Sequence, residues 1–185
     1  MASVTTLPLL TVEDYRELPE TGPRYQLIEG DLEMAPAPNR YHQDISRNLE
    51  YILLDYLEQN PIGKLYDAPF DVYLDKHNVF QPDIVFVSNA RLSILTDAGA
   101  EGAPDFVAEI LSPSTFELDR ISKRRVYGRS GVQELWIIDP KQKRIEIYLL
   151  AKDAAAPAAV YGEKDQFESA CFPGLRFNAV KIFAA

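Results

Sequence analysis

Two short runs of the chain, 83–87 and 105–111, are apolar on both faces of an extended strand, and this feature constrains the fold more than any other. Successive side chains of a strand point to opposite faces, so Ile84 and Val85 face opposite ways although both are apolar. A strand with two apolar faces has to be covered on both sides. The runs therefore predict central strands of a sheet that lies between two other layers.

The remaining segments alternate between helical and extended patterns. Apolar spacing, turn residues, prolines and glycines predict these elements in chain order: a short helix from a Thr11 cap to about residue 20, a hairpin over 24–29 and 32–35, a helix over 41–59, a hairpin over 64–74 and 79–87, a connection over 88–104 with a short helix near 91–95, a strand over 106–111, a helix over 116–130, a hairpin over 134–138 and 144–150, and a strand near Phe167. This order predicts an α/β (α+β) fold in which helices flank a mixed β-sheet.

The length and composition are those of one folded domain, which we expect to span residues 1–185. No apolar run is long enough to span a membrane, and residues 1–6 lack the basic and apolar parts of a secretion signal. The single cysteine, Cys171, excludes an internal disulfide and a cysteine-ligated metal site. We therefore expect the protein to work in a reducing cytoplasm.

The net charge of -9 argues against nucleic acid as a partner, because phosphate binding depends mostly on lysine and arginine. A negative total does not exclude a local basic surface. The densest basic stretch contains Arg120, Lys123, Arg124, Arg125 and Arg129. The alternative is that these residues form the solvated face of a helix.

Asp83 and Glu109 place carboxylates inside the two apolar runs. A buried carboxylate without a partner is costly, so such a group is usually paired, protonated or bound to a metal. Oxygen ligands of this type suit Mg²⁺, Mn²⁺ or Ca²⁺. Taken singly, Asp83 could be a turn or cap residue after Pro82, and Glu109 could form a salt bridge with a core arginine. Taken together, on two strands that could be neighbours, they favour a shared site.

Lys123 lies on the face of the predicted helix that should pack on the sheet. At about 100° per residue, Lys123 shares this face with Tyr127, while Arg124 and Arg125 point away from it. A lysine on a packed face needs a partner. Asp119, one turn earlier, could supply it as a weak local ion pair. The functional interpretation is that Lys123 reaches the carboxylate site.

Seven stretches of the chain together resemble the Uma-two family of restriction-endonuclease-like proteins, within the PD-(D/E)XK nuclease superfamily: 25–30, 68–72, 81–87, 109–115, 119–127, 131–140 and 172–175. The resemblance implies a restriction-endonuclease-like fold, with Asp83 as the aspartate and Glu109 as the glutamate of the motif. The superfamily usually places a lysine two residues after that glutamate, where this chain has Leu111. The resemblance therefore implies that Lys123 replaces it from the following helix.

The implied activity is that of a magnesium-dependent DNA endonuclease, with Mn²⁺ as an alternative ion. Asp83 and Glu109 would bind the metal, helped by a main-chain carbonyl near Ile110. The metal would lower the pKa of a bound water and neutralise charge on the phosphate. Lys123 would orient the water or stabilise the developing negative charge.

Four further residues are lesser candidates for the site. Glu29, His42 and Glu50 come from the early hairpin and the first long helix, and Tyr127 shares the helix face of Lys123. Glu29 could join the metal site or only close its turn. His42 could equally be a cap or surface residue, since one histidine without a partner is a weak indication.

The resemblance also implies DNA as the substrate, bound by Arg120, Arg124 and Arg125, and a homodimer that brings two copies of this basic stretch together. The alternative is a non-catalytic nuclease-fold binding or assembly module, which the acidic charge and Leu111 favour. A small-molecule phosphodiesterase with the same site is a third interpretation. Ser112 lacks a plausible histidine base, so no nucleophilic triad is expected.

Overall fold

The computed structural model describes residues 8–19, 21–35, 37–112 and 118–184, with side chains except those of residues 118–120 and 167. Within these ranges the helices and strands are α1 (Val12–Arg16), β1 (Tyr25–Ile28), β2 (Asp31–Met34), α2 (Arg40–Gln59), β3 (Gly63–Asp67), β4 (Val72–Asp75), β5 (Asn78–Phe80), β6 (Ile84–Ser88), β7 (Leu95–Thr96), β8 (Gly99–Glu101), β9 (Phe106–Ile110), α3 (Arg124–Ser130), β10 (Glu134–Asp139), β11 (Arg144–Leu149), β12 (Ala159–Gly162), β13 (Gln166–Phe167) and β14 (Phe177–Asn178). Short 3-10 helices cover Asn89–Ile94 and Ala179–Lys181, and a π-helical segment, Leu118–Lys123, leads into α3. None of the helices described here has the length and apolar character needed to cross a membrane.

The described strands form two six-stranded sheets and one two-stranded sheet. The first sheet has the order β2-β1-β5-β4-β8-β7, the second has the order β12-β11-β10-β9-β6-β3, and β13 pairs with β14. Both large sheets are mixed, because β4 runs parallel to β8 and β9 runs parallel to β10. The mixed α+β class with flanking helices is therefore confirmed, although the sequence did not predict that the strands divide into two large sheets.

Most of the predicted elements occur in the structure. Thr11 and Asp14 form a capping box at α1, and the turn between β1 and β2 uses positive φ angles of 52° at Glu29 and 88° at Gly30. The first helix ends at Arg16, earlier than the predicted end near residue 20. Residue 20 itself and the predicted helix start at residue 116 lie outside the described residues. The strands β7, β8, β12 and β14 were not predicted.

Prolines divide the predicted hairpin over 64–87 between the two sheets. Its outer part, β4 and β5, pairs within the first sheet, and its inner part, β3 and β6, pairs within the second. Pro69 and Pro82 lie at the two crossings, where a residue without an N–H group cannot continue the hydrogen-bond ladder. The main-chain N–H of Ala68 donates to the carbonyl of Asp83 at 3.1 Å and closes this corner. Asp83 therefore lies where the chain passes from one sheet to the other.

The second sheet is buried on both faces, as the two apolar runs predicted. Leu49 and Leu53 of α2 pack in one cluster with Ile84, Phe86 and other residues of that face. On the opposite face, residues of α3 pack in another cluster that includes Val107, Val126, Tyr127, Leu135 and Ile137. The strand pair β6–β9 thus lies in the centre of a three-layer arrangement.

A third buried carboxylate, Glu134, holds the C-terminal segment against the second sheet. It is fully buried and accepts hydrogen bonds from Nε1 of Trp136 at 2.6 Å, from Oγ of Ser169 at 2.8 Å, and from the main-chain N–H groups of Ala170 and Cys171 at 2.9 Å. These four hydrogen bonds compensate the buried negative charge of Glu134, so Glu134 has a structural role.

Candidate functional site

Asp83 and Glu109 lie opposite one another at the end of the strand pair β6–β9. Ile84 pairs with Ala108 in this antiparallel ladder, and one further step along it brings Asp83 opposite Glu109. Side chains at opposed positions of an antiparallel pair share a face, with Cβ atoms about 5 Å apart. Oδ2 of Asp83 also accepts a hydrogen bond from the main-chain N–H of Ile110 at 2.7 Å. The structure thus brings together the two carboxylates that the sequence singled out, and both line one cleft.

Glu109 forms a buried ion pair with Lys123. The Nζ atom of Lys123 lies 3.1 Å from Oε1 and 3.3 Å from Oε2 of Glu109, and the hydroxyl of Tyr127 donates to Oε1 at 2.5 Å. Glu109 is 3% exposed and Lys123 is 2% exposed. Among the described side chains, Glu109 is therefore paired with a lysine from the following helix and with Tyr127.

The helix places Lys123 and Tyr127 on its packed face, as the phasing predicted. The two residues are one helical turn apart, and the Tyr127 ring makes an edge contact with Phe80 at 5.2 Å between centroids. The Lys123 amine lies 5.8 Å from the centre of the same ring. The side chain of Asp119, the local alternative partner of Lys123, lies outside the described part of the structure.

His42 contacts Asp83 from the first turn of α2. Its Nε2 atom lies 3.3 Å from Oδ1 of Asp83, and its Nδ1 atom is buried with no hydrogen-bond partner among the described residues. Burial lowers the pKa of His42, but the hydrogen bond and the charge of Asp83 raise it by more, so the pKa lies above its ordinary value. His42 is therefore neither the helix cap, which is Asn39, nor a surface residue.

The cleft that contains these residues has a volume of about 670 Å³ and lies between the two sheets and the start of α2. We call it the carboxylate cleft. The described residues that carry charged or polar side chains into its lining are Arg24, Gln26, Asn39, His42, Gln43, Ser46, Asp67, Gln81, Asp83, Glu109, Ser112 and Lys123. Sequence reasoning missed the glutamines. The detectable signal was Gln26, a polar residue in a strand whose next two residues are apolar and buried.

The glutamines connect the cleft to the first sheet. Oε1 of Gln26 accepts a hydrogen bond from the main-chain N–H of Gln81 at 3.0 Å, and Nε2 of Gln81 donates to Asp71 at 2.7 Å. Asp71 also accepts a hydrogen bond from the hydroxyl of Tyr15 at 3.2 Å. This network fixes one wall of the cleft.

The donor atoms of the cleft suit an oxygen-preferring cation. They are the carboxylate oxygens of Asp83 and Glu109 and the main-chain carbonyl oxygen of Ile110. The main chain of Ile110 also forms a hydrogen bond with His42. Among the described residues, no three acidic, histidine or cysteine side chains are grouped around a position for an ion. A cation bound by Glu109 would share that carboxylate with the Lys123 amine.

The other candidates, Glu29 and Glu50, are not among the described residues that line the carboxylate cleft. Glu29 accepts hydrogen bonds from Arg125 at 2.6 Å and Arg129 at 3.1 Å, and the bond from Arg129, with further help from Arg125, holds the pKa of Glu29 below its ordinary value. Burial and the charge of Asp67, a residue of the cleft rim, raise the pKa of Glu50.

The predicted DNA-binding arginines face away from the cleft where they are described. Arg124 donates to the hydroxyl of Tyr148 at 2.9 Å and lies 4.8 Å from the centre of that ring. Arg125 binds Glu29, and the side chain of Arg120 lies outside the described residues. Neither Arg124 nor Arg125 is among the described lining residues of the carboxylate cleft.

The mixed sheets flanked by helices have a nuclease-like fold, and a central strand pair carries two opposed carboxylates that a lysine from the next helix approaches. In agreement, a crystal structure described as a "putative nuclease belonging to DUF820", from Anabaena variabilis, superposes with a TM-score of 0.78, covering 94% of this chain and 97% of that chain at 20% identity. At this identity the likeness concerns the fold alone. The family model described as "Uma2: Putative restriction endonuclease" matches residues 12–180, so the chain belongs to the Uma2 family. The comparison with curated proteins gives no match.

Proposed function

We propose that this protein is a metal-dependent endonuclease that hydrolyses phosphodiester bonds of DNA in the carboxylate cleft. The observation that supports this most is the convergence of three charged side chains, Asp83, Glu109 and Lys123, on one cleft from two strands and a helix. Membership of a family described as "Putative restriction endonuclease" supports a nuclease function.

In this proposal, Asp83, Glu109 and the carbonyl of Ile110 hold Mg²⁺, for which Mn²⁺ could substitute. When bound, the ion would lower the pKa of a bound water and neutralise charge on the phosphate. Asp83 is suited to this role because the N–H of Ile110 fixes its Oδ2 atom. His42, at 3.3 Å from the other oxygen, keeps Asp83 oriented in the same way.

Lys123 acts on the reacting phosphate in this proposal. Its amine is held by Glu109 in a nearly dry environment, where a positive charge stabilises a developing negative charge far better than in water. Tyr127 fixes the Glu109 carboxylate, and Glu109 in turn fixes the direction of the lysine. Lys123 would thereby supply the charge that the superfamily motif usually places at the position of Leu111.

The alternative is a non-catalytic nuclease-fold binding or assembly module, and two observations favour it. Both carboxylate oxygens of Glu109 already accept hydrogen bonds from Lys123, and Leu111 is buried in the core beside α3 rather than near the cleft. A protein that had lost the metal could retain this ion pair for stability.

Three further properties belong to the proposal and follow from the family resemblance and the sequence. They are a homodimer, DNA contacts from Arg120, Arg124 and Arg125, and a cytoplasmic location, which suits the single cysteine. To contact DNA, Arg125 would have to leave its ion pair with Glu29 and bind a phosphate group instead.

The decisive experiment measures Mg²⁺-dependent cleavage of both supercoiled plasmid and circular single-stranded DNA. We expect wild-type protein to cleave at least one substrate, and Asp83→Asn to lose this activity, because the amide keeps the acceptor for Ile110 but binds a divalent cation poorly. Glu163→Gln, which alters a carboxylate paired with Lys143 outside the cleft, is the matched control and should retain activity. Absence of cleavage by folded wild-type protein, or equal cleavage by Asp83→Asn, would refute the proposal.

A further inference from the structure

We infer that the carboxylate cleft accepts an unpaired nucleic acid strand and excludes continuous duplex. The inference rests on the proposed nuclease function and adds the class of substrate. Three properties of the cleft carry it: its depth, its charge and the chemistry of its walls.

The reacting groups lie deep in the cleft. Glu109 and Lys123 are 3% and 2% exposed, and the side chains of His42 and Asp83 are 12% and 18% exposed. The volume of about 670 Å³ is within the range of about 300–1,000 Å³ that is typical of small-molecule sites. A single strand can bend a phosphate into such a space, whereas duplex DNA is stiff over about 150 base pairs and carries its phosphates on a wide cylinder.

The charge of the cleft does not favour duplex. Among its described lining residues the carboxylates are Asp67, Asp83 and Glu109, and the permanent cations are Arg24 and Lys123. Lys123 is bound to Glu109. Affinity for duplex DNA comes mainly from many lysine and arginine contacts to phosphates, and the cleft offers far fewer than such a surface would need.

Two of the three arginines on α3 are also held in ion pairs. Arg125 pairs with Glu29, and Arg129 pairs with both Glu29 and Asp75. Breaking these pairs to bind duplex phosphates would expose the carboxylates of Glu29 and Asp75 to the same phosphates. The ion pairs therefore oppose a duplex-binding surface along α3.

The walls of the cleft carry groups that recognise base edges. Amides and hydroxyls both donate and accept hydrogen bonds, and the cleft is lined by those of Gln26, Asn39, Gln43, Ser46, Gln81 and Ser112. Oε1 of Gln26, Oδ1 of Asn39 and Nε2 of Gln81 already bond within the protein, so these three amides would use their remaining atoms. The Watson–Crick edges of bases are free only in an unpaired strand, where side chains of this kind read them. The lining thus matches an unpaired nucleotide better than the closed surface of a duplex.

The test uses one labelled oligonucleotide in three forms: single-stranded, annealed to its complement, and annealed so that a central loop of the labelled strand stays unpaired. With Mg²⁺, we expect cleavage of the single strand and of the loop to be at least about tenfold faster than cleavage of the full duplex. The reason is that extruding a paired base costs a few kcal/mol. In the looped form, the cuts should fall within the loop.

Two exposed arginines supply a matched pair of variants. Arg24 lines the cleft, whereas Arg47 lies on α2 outside the described cleft lining and pairs with Asp44. Arg24→Ala should raise the KM for the single strand several-fold, and Arg47→Ala should leave it unchanged. Equal effects of the two variants would mean that the strand does not enter through the cleft.

The outcomes separate the inference from the function on which it rests. Cleavage of the full duplex as fast as the single strand overturns the inference and leaves the nuclease intact. Absence of cleavage of all three forms by folded protein removes the nuclease function, and the inference falls with it.

Discussion

The amine of Lys123 lies 3.1 Å from Oε1 of Glu109, and the two side chains, at 2% and 3% exposure, form a buried ion pair between β9 and the π-helical segment that leads into α3. Such a pair contributes little net stability over an apolar pair of the same shape, because both charges lose their hydration. Removing one partner is costly, because the other charge stays buried without compensation. This asymmetry leads to the first prediction.

Lys123→Met should destabilise the protein by about 3–5 kcal/mol, because Glu109 is left charged and buried. The free energy of unfolding is measured by urea titration. The double variant Lys123→Met/Glu109→Gln should recover part of the loss, since no isolated charge remains. A double variant that is no more stable than Lys123→Met would contradict this account. Neither variant should cleave DNA if Lys123 is catalytic.

Tyr127→Phe should lower stability by about 1–3 kcal/mol, because a hydroxyl that donates to a buried carboxylate is lost while the ring stays packed against Phe80. In the proposed enzyme, kcat should fall with little change in KM, because Tyr127 fixes Glu109 without contacting the substrate. Parallel urea titration and cleavage kinetics separate the two effects. An unchanged kcat in a destabilised variant would limit Tyr127 to a structural role.

Addition of Mg²⁺ or Mn²⁺ should stabilise the folded protein. An ion that binds only the folded state at 100 times its Kd contributes about 2.7 kcal/mol, which thermal unfolding detects as a rise in Tm that depends on ion concentration. Asp83→Asn should largely abolish the rise, and Glu163→Gln should preserve it. Because this readout does not depend on cleavage, equal rises in wild type and Asp83→Asn would count against the metal site itself.

Glu29 should make stability depend on pH in the acidic range. Arg129 and Arg125 hold its folded-state pKa below the ordinary value of 4.5, and Asp75 also faces Arg129. A lowered folded-state pKa gives stability that is complete above the unfolded-state value and is lost as the pH falls through the folded-state value. Since Glu29 is 34% exposed, its ion pairs contribute about 0–1 kcal/mol.

The difference in unfolding free energy between wild type and Glu29→Gln measures this contribution. We expect a small positive difference at neutral pH that shrinks once the pH falls below about 4.5. A difference that grows as the pH falls would show that the sign is wrong.

Cys171 should react slowly with thiol reagents in the folded protein. Burial, and then the negative charges of Glu134 and Asp105, raise the pKa of its thiol well above the ordinary value, so little of the reactive thiolate is present at pH 8. Labelling with a chromogenic disulfide reagent should be much faster after denaturation. Because the chain has one cysteine, a folded protein that reacts as fast as the denatured one would place Cys171 at the surface.

The strands β6 and β9, the helix α2 and the inward direction of Lys123 could be predicted because each is encoded over a few consecutive residues. Two apolar faces indicate a central strand, and Lys123 shares a helix face with Tyr127 one turn away. That the two strands could be neighbours was also expected, but the register that sets Asp83 opposite Glu109 came from the structure. These predictions rest on local periodicity, which the sequence displays directly.

The sequence could not tell which buried carboxylates belong to a site. Glu134 is as buried as Glu109, but four donors, most of them about 35 residues away, satisfy it. Nor did local patterns reveal that prolines would divide one hairpin between two sheets and so open a cleft at Asp83. Both features depend on which distant segments meet.

The surroundings of the site were therefore decided by the tertiary structure. His42 reaches Asp83 because α2 packs across the sheet, and Arg125 is neutralised by Glu29, 96 positions earlier in the chain. By itself, the sequence determined most of the longer strands and helices and the three charged residues of the candidate site, because periodicity is a property of neighbours. Only the packed structure decided the partners, depth and charge of the cleft, because these depend on contacts between segments that are distant along the chain.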